Sequence, residues 1–113
     1  MRELICTGKT LWDFSVSGEA IVFDDNFLIS PKECDGKIII ANTPSPDIII
    51  YMNTCAAIIT ETGGILCHAA VLALEIGCPI VVAASSALEL IHSGMHLTIY
   101  SSGHEGSIYE ELL

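Results

Sequence analysis

The stretch of this sequence best equipped for chemistry is Thr60-Glu61-Thr62-Gly63-Gly64-Ile65-Leu66-Cys67-His68-Ala69-Ala70. The apolar run before it reads as a buried strand and the alanine- and leucine-rich run after it as a helix. The glycine pair therefore leaves a strand end, and His68 opens a helix. At a helix start the first backbone N–H groups lack partners, the dipole adds roughly half a positive charge, and flexible glycines can turn further amides inward. Anions bind in such places, and a phosphoryl group on His68 would be held without any basic side chain. The same field favours a neutral imidazole, the nucleophile that phosphoryl transfer needs. Its second nitrogen calls for orientation by a backbone carbonyl or by the polar cluster Thr43–Asp47. Ala69 and Ala70 are small enough to let a partner's active site approach the ring.

Several elements must position this loop. Early short apolar runs, Leu4–Cys6 and Ala20–Phe23, alternate with turn residues, Gly18, Asp24-Asp25-Asn26 and Ser30-Pro31, and predict short strands, with Phe27–Ile29 as another. Asp35-Gly36 reads as a turn opening a strand over Lys37–Ala41 that is buried on both faces. Ser45-Pro46-Asp47 offers a capping hydroxyl, a proline at the first helical position and an early carboxylate, predicting a short helix through Asn53. Strand Ala56–Thr60, a helix His68–Ile76 apolar almost all round and stopped by Gly77 and Pro79, and strand Ile80–Ala84 form one parallel strand, helix, strand unit. A further helix is expected from Ser85-Ser86 through His92, then an edge strand Met95–Tyr100, with Glu105, Glu110 and Glu111 in a solvated terminus.

At 113 residues, 51% hydrophobic, the chain has the size of a single domain, 1–113, with one core. Its longest apolar stretches fall well short of the ~20 residues of a membrane span. Met1–Lys9 lacks the pattern of a secretory signal, so a cytoplasmic location is expected. A net charge of −10, with the bases Arg2, Lys9, Lys32 and Lys37 all early in the chain, argues against nucleic acid as a partner. It would steer the chain toward basic surfaces, including sites that already hold phosphates. Cys6, Cys34, Cys55, Cys67 and Cys78 are odd in number and contain no Cys-x-x-Cys pair, and read as reduced, mostly core cysteines.

These residues resemble the mobile phosphohistidine domain of phosphoenolpyruvate synthase, pyruvate phosphate dikinase and the first enzyme of the sugar phosphotransferase system. Thr60, Glu61, Gly63, Gly64, Cys67, His68, Ala69 and Ala70 match that family in order. Ala73, Glu75, Gly77, Pro79, Val81 and Val82 continue the match, and Thr43-Pro44 with Asp47 is similar to its upstream loop. The resemblance implies an α/β fold of the swivelling β/β/α kind, a mixed sheet with a buried helix. It implies His68 as the catalytic residue, Thr60, Gly63, Gly64, Cys67 and Ala69 around the phosphate, and Asp47 and Glu61 in support. Phosphate would pass between a nucleotide site and a phosphoenolpyruvate or pyruvate site on partner domains. Those domains would supply magnesium and nucleotide, with no cofactor in this one. Three departures stand out: Ile65, Leu66 and Leu74 occupy positions where the family often carries Arg or Met, Thr, and Arg.

Those departures give a non-catalytic swivelling module, binding or regulating a partner, its claim as the alternative. Thiol chemistry at Cys67 near the helix start is geometrically doubtful, because adjacent helical residues do not face each other. No metal site is expected, since His92, His96 and His104 are spread over different elements.

Overall fold

The computed structural model describes residues 1–23 and 29–112. The turn read at Asp24–Asn26, and Phe27 and Leu28 of the run after it, lie outside them. The fold is built on one seven-stranded mixed sheet: β1 (Arg2–Lys9), β2 (Phe14–Val22), β3 (Ile38–Ala41), β4 (Ala57–Thr60), β5 (Ile80–Val81), β6 (His96–Ser102) and β7 (Glu105–Glu111). The strand order is β1-β7-β6-β2-β3-β4-β5. Pairs β2–β3, β3–β4 and β4–β5 are parallel. Pairs β1–β7, β7–β6 and β6–β2 are antiparallel. The mixed-sheet α/β class expected from the sequence is thus observed.

Gly36, at φ +70°, makes the turn that delivers the chain into β3. Along β3 the side chains alternate between two fully buried layers. Ile38 and Ile40 join Ile59, Val81, Leu97, Ile99 and Ile108 on one face of the sheet. Ile39 and Ala41 join Ile58, Ile80 and Val82 on the other, beneath Ala69, Ala70 and Ala73. Each buried isoleucine contributes roughly 1.5–3 kcal/mol over exposure, which is why β3 and β4 carry no polar face.

Helix α1 (His68–Ile76) follows β4 and ends at Gly77, whose φ of +89° and N–H bond to Ala73 O form the left-handed stop expected of it. Its burial differs from the expectation of a helix sunk on all sides. Only Ala69, Ala70 and Ala73 are buried, while Val71, Leu74 and Ile76 are exposed. Small side chains let one face lie close on the sheet, and the larger apolar ones stay outside.

Other expectations shift. The helix read after Ser45 is a 3-10 helix, Pro46–Tyr51, and Ser45 makes no side-chain cap; its run of β-branched isoleucines disfavours α-helix. A side-chain cap forms instead at Ser30 and Glu33, in a capping box that opens a 3-10 helix at Pro31–Cys34. The helix through His92 shortens to α2 (Ala87–Leu90). The strand read as Met95–Tyr100 is β6, an inner strand paired on both sides rather than an edge. The terminal glutamates belong to β7, where buried Gly106 and Ile108 alternate with polar residues facing outward. The strand expected over Ile80–Ala84 stops at Val81, and Val82 instead bridges to Lys9. Lys9 N donates to Val82 O at 2.7 Å and Val82 N to Lys9 O at 2.9 Å, so β1 curls round to meet the chain leaving β5. Gly8 permits that approach: a Cβ there would lie 2.5 Å from Val81 Cγ1.

Candidate functional site

Strands β3 and β4 run in register, Ala41 beside Thr60, and the loops leaving their ends are bonded to each other. Glu61 N donates to Ala41 O at 3.1 Å, and Thr62 donates to Asn42 O twice, from its N–H and its hydroxyl, each at 3.0 Å. Thr60 is buried and its hydroxyl donates to Thr62 O at 2.7 Å, bracing the turn from below. Gly63 adopts φ +106°, and a Cβ on it would meet Pro44 Cγ at 2.8 Å. A Cβ on Gly64 would meet nothing within 4 Å, so that side of the loop is open.

Cys67 N donates to Gly64 O at 3.0 Å, closing the loop just before the helix. Cys67 itself is extended, at φ −66° and ψ 156°, and adds no side-chain cap. The first helical bond runs from Val71 N to Cys67 O at 3.1 Å. The amides of His68, Ala69 and Ala70 precede it and have no acceptor within the helix. His68 is exposed at this mouth while Ala69 and Ala70 turn their methyl groups into the core. Neither Lys nor Arg lies between Thr60 and Ala70, so within this segment the backbone amides at the helix start are the groups that favour an anion.

Thr60, Gly63, Gly64, Cys67, His68 and Ala69 therefore share one continuous loop and helix start. Glu61 does not face His68's helix: its Oε2 accepts from Leu88 N at 2.8 Å and caps the opening of α2. Asp47 is exposed in the first turn of the 3-10 helix at Pro46–Tyr51, whose Ile48 and Tyr51 share a core cluster with Ala69, Ala70 and Ala73 of α1. Among the described residues the His68 ring makes no hydrogen bond to a backbone carbonyl or to the Thr43–Asp47 cluster, the two orienting partners expected for it, whereas His104 Nδ1 lies 3.1 Å from Thr10 O. Sequence reasoning missed Asn42 and the role of Thr62. Their only signal is the matched length of two adjacent parallel strands, which sets their ends side by side.

The face around the imidazole is apolar. Leu66 is 82% exposed, Leu74 46% and Val71 38%, and Val71 stands one turn after His68 on the same side of α1. Among the thiols, burial pushes Cys6 up to about 11, with the charge of Glu61 adding to it, and burial likewise holds Cys34 at about 11.

Parallel strands that end in a glycine-bearing loop, with an exposed histidine opening the next helix, define a small α/β domain. Residues 33–103 match the family model of the PEP-utilising enzyme mobile domain, and the chain belongs to that family. It is 34% identical to the phosphoenolpyruvate synthase of Helicobacter pylori over 96% of its own length and 13% of that protein's. Identity to the phosphoenolpyruvate synthase of Synechocystis sp. is 34%, over 98% of this chain and 14% of the relative. The pyruvate kinase of Geobacillus stearothermophilus is 32% identical over 96% of the chain and 18% of its own length. The chain thus spans less than a fifth of these curated relatives. A chain of the holo-form aconitase X of Thermococcus kodakaraensis shares the fold, with a TM-score of 0.61 at 16% identity over 96% of this chain and 98% of that one. No helix among the described residues is long and apolar enough to cross a membrane.

Proposed function

We propose that this chain is a phosphoryl carrier. His68 is transiently phosphorylated and shuttles the group between a nucleotide site and a phosphoenolpyruvate- or pyruvate-type site on partner domains or proteins, in the cytoplasm. The observation that carries this reading is the exposed imidazole at the mouth of α1, beside helix-start amides that have no acceptor within the helix. Family membership and the phosphoenolpyruvate synthase relatives, in which such a domain is a small part, support it.

In the forward step a ring nitrogen lone pair attacks phosphorus in line. The N–P bond forms as the donor's P–O bond breaks, and the leaving oxygen keeps the electron pair. The domain then presents the phosphohistidine to an acceptor oxygen, which displaces the imidazole. Positioning lowers most of the barrier. Amides of His68 and Ala69, with the open side of Gly64, would hold the phosphate. Gly63, Cys67 and Thr60 shape the loop, Glu61 acts at one remove through α2, and Asp47 flanks the upstream loop. Magnesium and nucleotide belong to the partner, with no cofactor resident here. The exposed Leu66, Val71 and Leu74 form an apolar rim on which a partner's site can close.

The test is intact-mass and phosphorus resonance measurement after incubation with a phosphoenolpyruvate synthase-type donor and either ATP or phosphoenolpyruvate. An acid-labile, base-stable phosphoryl adduct is expected on the parent chain and absent from His68→Ala. No adduct with any donor removes the carrier reading. The second reading, a module that binds partners without being phosphorylated, draws on the exposed Leu66 and Leu74 where polar groups would serve a phosphate. It expects partner binding that His68→Ala leaves intact.

A further inference from the structure

Cys55 and Cys78 are 23 residues apart in the chain, in no motif that spacing would reveal, yet their Sγ atoms lie 3.7 Å apart. The fold brings them together: Cys55 enters β4 and Cys78 enters β5, adjacent parallel strands in which Ile58 pairs with Ile80 and Ile58 N donates to Pro79 O at 3.0 Å. Cys78 follows the Gly77 stop at the far end of α1 from His68, and is 3% exposed. Cys55 is partly exposed at the edge of the same cluster. Forming an S–S bond of about 2.05 Å needs the two sulfurs to approach by less than ~2 Å, within reach of side-chain rotation.

We propose that Cys55 and Cys78 are a redox-active dithiol that closes to a disulfide on meeting a hydroperoxide, Cys55 attacking and Cys78 resolving. The Cys55 thiolate attacks the outer oxygen of the peroxide. The O–O bond breaks, a sulfenic acid forms on Cys55, and the departing alkoxide or hydroxide takes the Cys78 thiol proton. The Cys78 thiolate then attacks the Cys55 sulfur, and hydroxide leaves as the S–S bond forms, to be protonated by solvent. Two thiols lose two electrons to one peroxide. Division of labour follows the surroundings: the hydrogen bond from Cys78, and backbone hydrogen bonds at Cys55 and Ala57, lower the Cys55 pKa, while the same bond and burial raise that of Cys78. The partly exposed sulfur is thus the better nucleophile and the buried one the better trap. The closed form would tie the start of β4 to the residue after α1, on the side of the molecule that carriage by His68 does not use.

The experiment exposes the full chain to hydrogen peroxide and reads intact mass, free-thiol count and a non-reducing peptide map. The expected result is a loss of the mass of two hydrogens and of two thiols from the five present, in one cross-link joining the Cys55 and Cys78 peptides and reversed by dithiothreitol. Cys55→Ser should abolish the cross-link and Cys34→Ala should leave it intact. Should Cys78→Ala fail to fold, Cys55→Ser and the peptide map still decide. A cross-link through Cys34 or Cys67 instead, or oxygen added at Cys55 with no cross-link, overturns the proposal.

Discussion

Gly63 lies so close to Pro44 that no side chain fits between them: a Cβ would come 2.8 Å from Pro44 Cγ, at a backbone φ of +106° that side chains rarely adopt. Gly64, one residue on, has open space where its Cβ would be. Two neighbouring glycines thus do different work. Gly63→Ala should cost about 1–3 kcal/mol from strain, plus displacement of the Pro44 loop. Gly64→Ala should change stability by no more than about 0.5 kcal/mol, yet slow phosphorylation of His68 if the open side of the loop receives the phosphate. Urea unfolding measures the first effect and adduct formation the second.

Glu61 belongs to α2 rather than to His68, since it holds Leu88 N at 2.8 Å. Glu61→Ala should therefore destabilise by about 0.5–2 kcal/mol, as loss of a helix cap does. Glu61→Gln keeps an acceptor and should lose less. Unchanged stability of Glu61→Ala in denaturant titrations would show that the cap contributes nothing.

Leu66 is exposed and Leu74 about half exposed, so Leu66→Thr with Leu74→Arg should fold as the parent does. Long helical side chains lean toward the helix N-terminus, which brings an arginine at position 74 back toward the mouth of α1. A charge-assisted hydrogen bond to phosphate is worth roughly 1.5–3 kcal/mol. The double variant should accordingly raise the phosphorylated fraction or adduct lifetime by roughly tenfold or more. An unchanged lifetime would mean that neither side chain reaches the phosphate.

Cys6 and Cys34 titrate at about 11 in the fold instead of the ordinary 9.0, chiefly because burial disfavours the thiolate. A raised acid pKa means the folded state holds its proton more tightly. The associated stability is fully present below pH 9 and is lost as pH rises toward 11. Thermal unfolding across that window should show a fall of roughly 2 kcal/mol for each thiol, reduced in Cys6→Ser or Cys34→Ala. Labelling of both thiols should stay slow until the same range.

The central strands were legible because burial on both faces leaves only apolar residues to read, as Ile38–Ala41 and Ala57–Thr60 do. Helix α1 was legible through its glycine stop, and the candidate site through glycine, histidine and alanine in one short segment. What stayed hidden depends on partners distant in sequence. The pairing of β7 between β1 and β6 hides behind surface glutamates, and the Glu61 bond to Leu88 spans 27 residues. The proximity of Cys55 and Cys78 follows from strand pairing that no local pattern encodes. The outward Val71 and Leu74 misled for a related reason: apolar side chains on every side of a helix imply burial only when something covers them.

The bridge between Lys9 and Val82 bears on where this molecule could be cut. Residues 33–103, the portion that the family model matches, leave out β1, β2 and β7 entirely, and so remove both neighbours of β6. Such a fragment would keep the imidazole and its loop yet strand an unpaired hydrogen-bonding rim, open to association with other copies. A unit in which β6 keeps both its partners is therefore wider than the matched segment, and the first nine residues act as a clasp on the chain leaving β5.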